Sequence, residues 1–313
     1  MTNTRPAEAP RPTDIYFGQA YLAAEHSFDT TRKAGLLAKN LDERPIEGTR
    51  VVEPEPATQD DLLRIHDPEF VDAVLTGEPR ILAASGGLGW DLGFVEALLA
   101  STGGCIAAAR SAWTKGISGS LSSGLHHAGR SRGRGYCTIN SLVAAVLTFK
   151  DLGASHVLII DLDAHAGGGT HDILGHDPTV SQLDIVTDRY DNYRPHGPWT
   201  LDHVHHAEQY LDTLRGRLDA IDAATIDAIV YNAGMDPHED CDTGGLQGIT
   251  HDLLATRERL VFDWARNHWT PIAFALAGGY SAGALGVDRL TALHRLTIEA
   301  AAQPAATTEE TSR

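Results

Sequence analysis

The chain has 313 residues, enough for one large α/β domain with a full hydrophobic core, and its 42% apolar content is that of an ordinary globular protein. A formal net charge of −17 at pH 7 argues against a direct nucleic-acid partner, because phosphate binding needs a basic footprint. No apolar run is read as the roughly 18–20 residues of a membrane span.

The stretch from Met1 to Pro12 is polar and proline-bearing and shows no signal-peptide run, so a cytoplasmic location is expected. Residues 1–13 and 303–313 read as disordered tails, leaving one domain over 14–302. Helical patterns cover Asp60 to Leu75, with a break near Asp67-Pro68, then Phe94 to Trp113 and Asn140 to Leu152. Further helices are expected over His206 to Ile221, His251 to Trp264 and Asp288 to Ala301. Between them stand short runs rich in β-branched residues: Val157 to Ile160, Ala228 to Tyr231 and Pro271 to Ala275. Apolar strands without alternation, separated by helices, predict a mainly parallel central sheet covered on both faces, a three-layer α/β/α domain. Ligands in such folds bind beyond the carboxyl ends of the strands, so polar residues just after those runs are where chemistry is expected. Cys105, Cys137 and Cys241 lie far apart without CxxC spacing, which argues against a disulfide framework or a thiolate zinc site. The acidic balance serves solubility, and it also suits a cationic substrate.

The first such strand end reads Asp161-Leu162-Asp163-Ala164-His165-Ala166-Gly167-Gly168-Gly169-Thr170. Asp163 and His165, two apart, point the same way, and together they suit a borderline metal such as Zn²⁺. Asp161 lies on the same side as an orienting carboxylate. Buried carboxylates without a cation are costly, so the alternation itself points to one. The glycines that follow lack the Gly-Lys-Ser/Thr of a phosphate loop. The second strand end, Gly234-Met235-Asp236, supplies a third ligand and leaves one position open for water, as a catalytic site requires. The third, Gly278-Gly279-Tyr280, places a phenol where it can stabilise an oxyanion. A tandem pair, His126-His127, suits proton transfer near neutral pH. Among 16 histidines His205-His206 is another such pair, and it is given no role.

Taken in order, these segments resemble the histone deacetylase family, of the arginase/deacetylase fold. The resemblance runs through Leu62 to Val71, Gly124-Leu125-His126-His127-Ala128, Gly135-Tyr136-Cys137-Thr138-Ile139-Asn140, Asp161 to His165, Gly234-Met235-Asp236, Asp242-Thr243-Gly244-Gly245-Leu246 and Gly278-Gly279-Tyr280. Glu25-His26-Ser27-Phe28 resembles the family's opening. The resemblance implies an amide hydrolase with one Zn²⁺, or Fe²⁺ in its place, held by Asp163, His165 and Asp236. His126 and His127 match the catalytic pair, with His127 the general base and acid; Asp161 matches the acid that orients His126, and Tyr280 the tyrosine that polarises the acyl carbonyl. Tyr136 matches an aromatic lining of the acyl channel, with Gly135, Leu125, Thr243, Tyr190 and Tyr193 as further substrate-binding candidates. A structural monovalent cation such as K⁺ is implied near Asp161. The partner implied is an acylated amine, either a small molecule or a lysine side chain, and nothing in the sequence opposes a homodimer.

The departures cluster around the pocket. Gly168 stands where the family carries the acid expected to orient His127. Leu125, Thr243 and Asp184 replace a common aromatic or glycine, a leucine and a cation-binding serine, and Asp188 to Trp199 lacks the usual Phe-Pro-Gly-Thr-Gly pattern. Two alternatives follow: a non-catalytic binding protein on this fold, suggested by Gly168, and an arginase-type ureohydrolase, which the Gly at 167 opposes because two metals need further carboxylates.

Overall fold

The apolar runs at 157–160, 228–231 and 271–275 form the middle of a single sheet whose strands are all parallel. The computed structural model describes residues 12–25 and 28–304. In chain order the elements are β1 (Thr13–Tyr16), α1 (Asp29–Glu43), β2 (Thr49–Val52), α2 (Gln59–Leu63), α3 (Pro68–Thr76), α4 (Arg80–Ala83), α5 (Leu92–Lys115), β3 (Ile117–Ser120) and α6 (Ser141–Asp151). There follow β4 (Val157–Asp161), α7 (Gly168–Leu174), β5 (Val180–Val186), β6 (Asp202–His203), α8 (Ala207–Asp219), β7 (Ala228–Ala233), α9 (His251–Asn267), β8 (Ile272–Leu276) and α10 (Gly286–Ala302). The strand order across the sheet is β2-β1-β3-β8-β7-β4-β5-β6.

Side chains of successive strand residues point to opposite faces, and the two faces fill two separate cores. Leu158, Ile160, Ile229, Tyr231, Ile272 and Phe274 pack with α1, α8, α9 and α10. Val157, Ile159, Ala228, Val230, Ala273 and Ala275 face α5, α6 and Trp199. This is the expected three-layer α/β/α arrangement. The helices start where the sequence supplies caps: Asp91 accepts from Phe94 N (2.6 Å), Asn140 from Val143 N (3.2 Å) and Thr250 from Leu253 N (3.3 Å), each satisfying an otherwise orphaned donor. The expected break at Asp67-Pro68 separates α2 from α3, because proline fits only the first turn of a helix.

Several elements differ from the sequence reading. β1 opens at Thr13, inside the stretch read as a tail; residues 1–11 and 305–313, with His26 and Ser27, lie outside the described residues. β1, β2, β5 and β6 fall outside the strand runs read from the sequence, and β3 is the strand expected ahead of Gly124 and the His126-His127 pair. β3 reads Ile-Ser-Gly-Ser and β5 carries Ser, Gln and Asp in its middle, so neither shows the apolar signature of a central strand. α5 is long and apolar enough to cross a membrane by length and composition, contrary to the sequence reading, but most of it is buried between the sheet and α6.

With every strand parallel, the carboxyl ends of β3, β8, β7 and β4 lie side by side on one edge of the sheet. Every candidate metal ligand and proton-transfer residue follows one of those four ends.

Candidate metal centre and active site

Asp163 and His165 follow β4, and Asp236 follows β7. The three are buried, and one ligand atom from each lies within 4.8 Å of the others. His165 Nδ1 is 3.0 Å from Asp163 Oδ1 and 3.1 Å from Asp236 Oδ2. The backbone fixes the outer carboxylate oxygens: Ala164 N donates to Asp236 Oδ1 (3.0 Å) and Gly278 N to Asp163 Oδ2 (2.6 Å). Gly278 must be glycine, since a Cβ there would overlap the carboxylates of both Asp163 and Asp236. Beneath the loop, the fully buried Arg257 bonds the Leu162 carbonyl (3.1 Å) and pairs with Glu258 (2.6 Å).

The electrostatics ask for a cation. Burial, with the neighbouring charge of Asp163, pushes the Asp236 carboxyl up to about 6. Burial opposes charging of His165, yet Asp163 and Asp236 outweigh it and pull the imidazole up to about 11. Asp236 Oδ2 is buried and accepts no hydrogen bond. Ligand atoms about 3.3 Å apart are what tetrahedral metal–ligand bonds of about 2 Å produce. An imidazole nitrogen 3.0 and 3.1 Å from the oxygens of two carboxylates therefore fits a borderline divalent ion.

His126 and His127 sit on the segment after β3, their ring centroids 4.0 Å apart. Their partners differ. His126 Nδ1 donates to Asp161 Oδ2 (2.8 Å), and Asp161 Oδ1 is held by Asn232 Nδ2 (2.8 Å). His127 Nδ1 donates to Asp191 Oδ2 (3.0 Å), on the loop after β5. Burial disfavours a charged His126, but Asp161 and Asp163 raise it to about 10. Burial and the neighbouring charge of His126 push His127 down to about 4. Such a split makes His127 the member of the pair that stays neutral and can act as a base.

A cavity of about 740 Å³ opens over these groups, with His127 and His165 on its lining. Gly135, Tyr136, Tyr190, Thr243 and Tyr280 line it too, with Asp188, Asp242 and Arg134 among the charged lining residues. The Tyr190 ring meets His127 edge-on (4.9 Å, 87°), and Tyr136 lies 4.2 Å from Phe28. Burial and the nearby carboxylates hold the Tyr280 phenol well above its ordinary range, so it stays a neutral donor. Two substrate-binding candidates fall elsewhere. Leu125 packs on the cluster of Leu62, Phe70 and Phe94. Tyr193 stacks on His171 (4.4 Å), and its hydroxyl donates to the Thr200 carbonyl (2.6 Å). Asp184, expected near the monovalent cation, pairs in register with Asp161. Burial and the Asp161 charge push its carboxyl well up, and its Oδ1 and the nearby Gln182 Oε1 have no hydrogen-bond partner.

Sequence reasoning missed Asp191, Asn232 and Arg257. Asn232 had a signal, since it precedes Ala233-Gly234 at a strand end. Asp191 and Arg257 had none, because only the fold brings them to the site.

Residues 26–296 match the histone deacetylase domain. The chain belongs to the histone deacetylase family. An uncharacterized protein of Picosynechococcus is 31% identical over 263 residues, 82% of this chain and 87% of that one. Histone deacetylase 2 of Arabidopsis thaliana is 28% identical over 282 residues, 82% of this chain and 70% of that one. The fold also matches an acetylpolyamine aminohydrolase from Burkholderia pseudomallei, with a TM-score of 0.75 at 17% identity, covering 92% of this chain and 98% of that one. The deacetylase family is one of hydrolases of acylated amines, so this deacetylase-family chain carries the site where that chemistry is expected.

Proposed function

We propose that this protein is a divalent-metal-dependent amide hydrolase that removes an acyl group, an acetyl in the first instance, from an amine. The observation that carries the reading is one cavity lined by His127, His165 and Tyr280, with the buried Asp163–His165–Asp236 cluster at its inner end. A Zn²⁺ ion, or Fe²⁺ in its place, held by those three residues would supply Lewis-acid polarisation of the carbonyl and acidification of water. His127 does the proton work: with Nδ1 committed to Asp191, Nε2 is the nitrogen left to take a proton and return it to the departing amine. His126, held by Asp161 through Nδ1 with Nε2 3.5 Å from Asp163, stands as a hydrogen-bonding group beside the reacting centre. Tyr280 donates its phenolic O–H to the oxyanion. Tyr136 and Tyr190 form apolar walls for the chain that carries the amide. A monovalent cation such as K⁺ suits the orphaned oxygens of Asp184 and Gln182 beside Asp161.

The binding-protein alternative rested on Gly168, and a carboxylate from Asp191 meets His127 in spite of it. A ureohydrolase needs a second metal, and among the described residues one ligand cluster is found. The test is zinc content and turnover on a panel of acetylated lysines, polyamines and amino sugars. The expected result is about one zinc per chain, as for a mononuclear site, and amine release lost in Asp163→Ala and Asp236→Ala. A protein that binds neither zinc nor iron under reconstitution overturns the reading.

A further inference from the structure

We infer that Asp191 is the positioning residue of His127, and that Gly168 is the vacancy that admits it. The inference rests on the deacylase reading for what His127 does, but not for how His127 is held.

Three observations carry it. The first is the bond itself: His127 Nδ1 lies 3.0 Å from Asp191 Oδ2, and the Asp191 side chain is 2% exposed. A carboxylate on Nδ1 fixes an imidazole in one tautomer and one orientation, with Nε2 free to exchange a proton. The second is the geometry at Gly168, the first residue of α7. A Cβ built there would overlap the Asp191 backbone carbonyl and lie 2.7 Å from its Cγ and 2.8 Å from its Oδ1. A side chain at 168 and Asp191 in its present place exclude one another. The absence of a side chain at 168 is therefore what leaves room for the acid that His127 uses.

The third observation is how the loop is pinned. Ala166 N donates to the Tyr190 carbonyl (3.2 Å), which ties the loop to the segment just past the ligand His165. Arg134 bonds Asp191 Oδ1, so the carboxylate is stretched between a guanidinium and the imidazole, each on its own oxygen. Asp191 adopts φ +59, a left-handed backbone that a short polar side chain tolerates better than most. An acid held by the backbone, by Arg134 and by volume exclusion is pre-organised for one partner, and that partner is His127.

The experiment uses the full-length chain loaded with zinc, comparing wild type with Asp191→Ala and Asp191→Asn. Three quantities are read: zinc content, kcat and KM on whichever acetylated amine the wild type turns over, and the ¹⁵N resonances of His127, assigned with a His127→Gln variant. The wild-type spectrum is expected to show His127 protonated at Nδ1 with Nε2 bare. Asp191→Ala should leave zinc content unchanged and KM within about twofold, and lower kcat about 10–100-fold, the range for partners of this kind. Asp191→Asn leaves one oxygen for two donors; with Arg134 on that oxygen the amide NH2 faces Nδ1, so this variant should show His127 protonated at Nε2 and lose at least as much kcat as Asp191→Ala. A wild-type His127 protonated at Nε2 overturns the inference. So does an Asp191→Ala variant whose kcat is unchanged or whose loss tracks zinc loss. If no acylated amine is turned over by wild type, the deacylase reading fails and the tautomer alone decides for or against Asp191; the two failures are thus distinguishable.

Discussion

His126 and His127 are neighbours in the chain with rings 4.0 Å apart, yet their acids come from two different kinds of structure. The acid of His126 is the last residue of β4, in the middle of the sheet. It is bonded by Asn232 from β7 and continuous with a loop whose Leu162 carbonyl rests on the buried Arg257. The acid of His127 sits on a loop between β5 and β6 and is held mainly by Arg134, which is half exposed. One arrangement is built into the fold, while the other is attached to it. A strand-end acid cannot be relocated without dismantling the sheet, whereas a loop acid can arrive from a new direction when a neighbouring residue vacates the space.

The largest expected effect tests the built-in side. Asp161→Ala removes the partner of His126, a bond to Asn232 and an acceptor for the Asp163 backbone N–H (3.3 Å). Three buried groups then lose a partner, at about 1–3 kcal/mol each. Turnover should fall by more than about 10³-fold, above the 10–100-fold of a single outer-shell partner, because metal affinity falls with it. Zinc content and thermal unfolding measured beside kcat check this. An Asp161→Ala enzyme that keeps its zinc and loses no more than an Asp191 variant would erase the contrast.

Next in size is Gly168→Ala. The position carries no left-handed backbone, and alanine favours a helix over glycine by about 1 kcal/mol, so local propensity predicts a gain. The new Cβ would instead strike the Asp191 carbonyl, and a backbone contact is not relieved by a side-chain rotation. The loop must move, His127 loses its partner, and kcat should drop about 10–100-fold with zinc retained. Wild-type kcat in Gly168→Ala would show that the two positions do not compete.

The same division decides what the sequence discloses. Asp161, Asp163, His165 and Asp236 follow apolar strand runs, and alternation along an extended backbone puts them on one side. The central strands and most helices were legible for a similar reason, since burial imposes a pattern on contiguous residues. Asp191 was not, because the loop has no period and its pairing with His127 spans 64 positions. The departure at Gly168 was visible as an absence, but the compensating acid was not. Tyr190 and Tyr193 were equal candidates in the sequence; only packing separates the one that faces His127 from the one stacked on His171. A smaller effect sharpens that separation. Tyr193→Phe loses a hydroxyl bonded to the Thr200 carbonyl and should cost about 1 kcal/mol in urea unfolding with kcat unchanged.

The smallest effect is a shift in pH dependence, and its sign is the informative part. His127 acts as a base only when neutral. Burial and the charge of His126 depress its ionisation to about 4, while Asp191 and Asp163 pull the other way. In Asp191→Asn the carboxylate's upward pull is gone and an amide NH2 faces Nδ1, which favours the neutral ring, so the imidazolium becomes harder to form. The acid-side limb of kcat/KM should therefore move to lower pH, by up to about one unit, equivalent to about 1.4 kcal/mol between the two protonation states. A variant that merely loosened the loop would admit water around His127, weaken the desolvation and move the limb upward. Measuring kcat/KM from about pH 2.5 to 8 in both proteins thus separates a carboxylate that tunes the histidine from one that only braces the loop. A limb that rises or stays fixed assigns Asp191 to the second role.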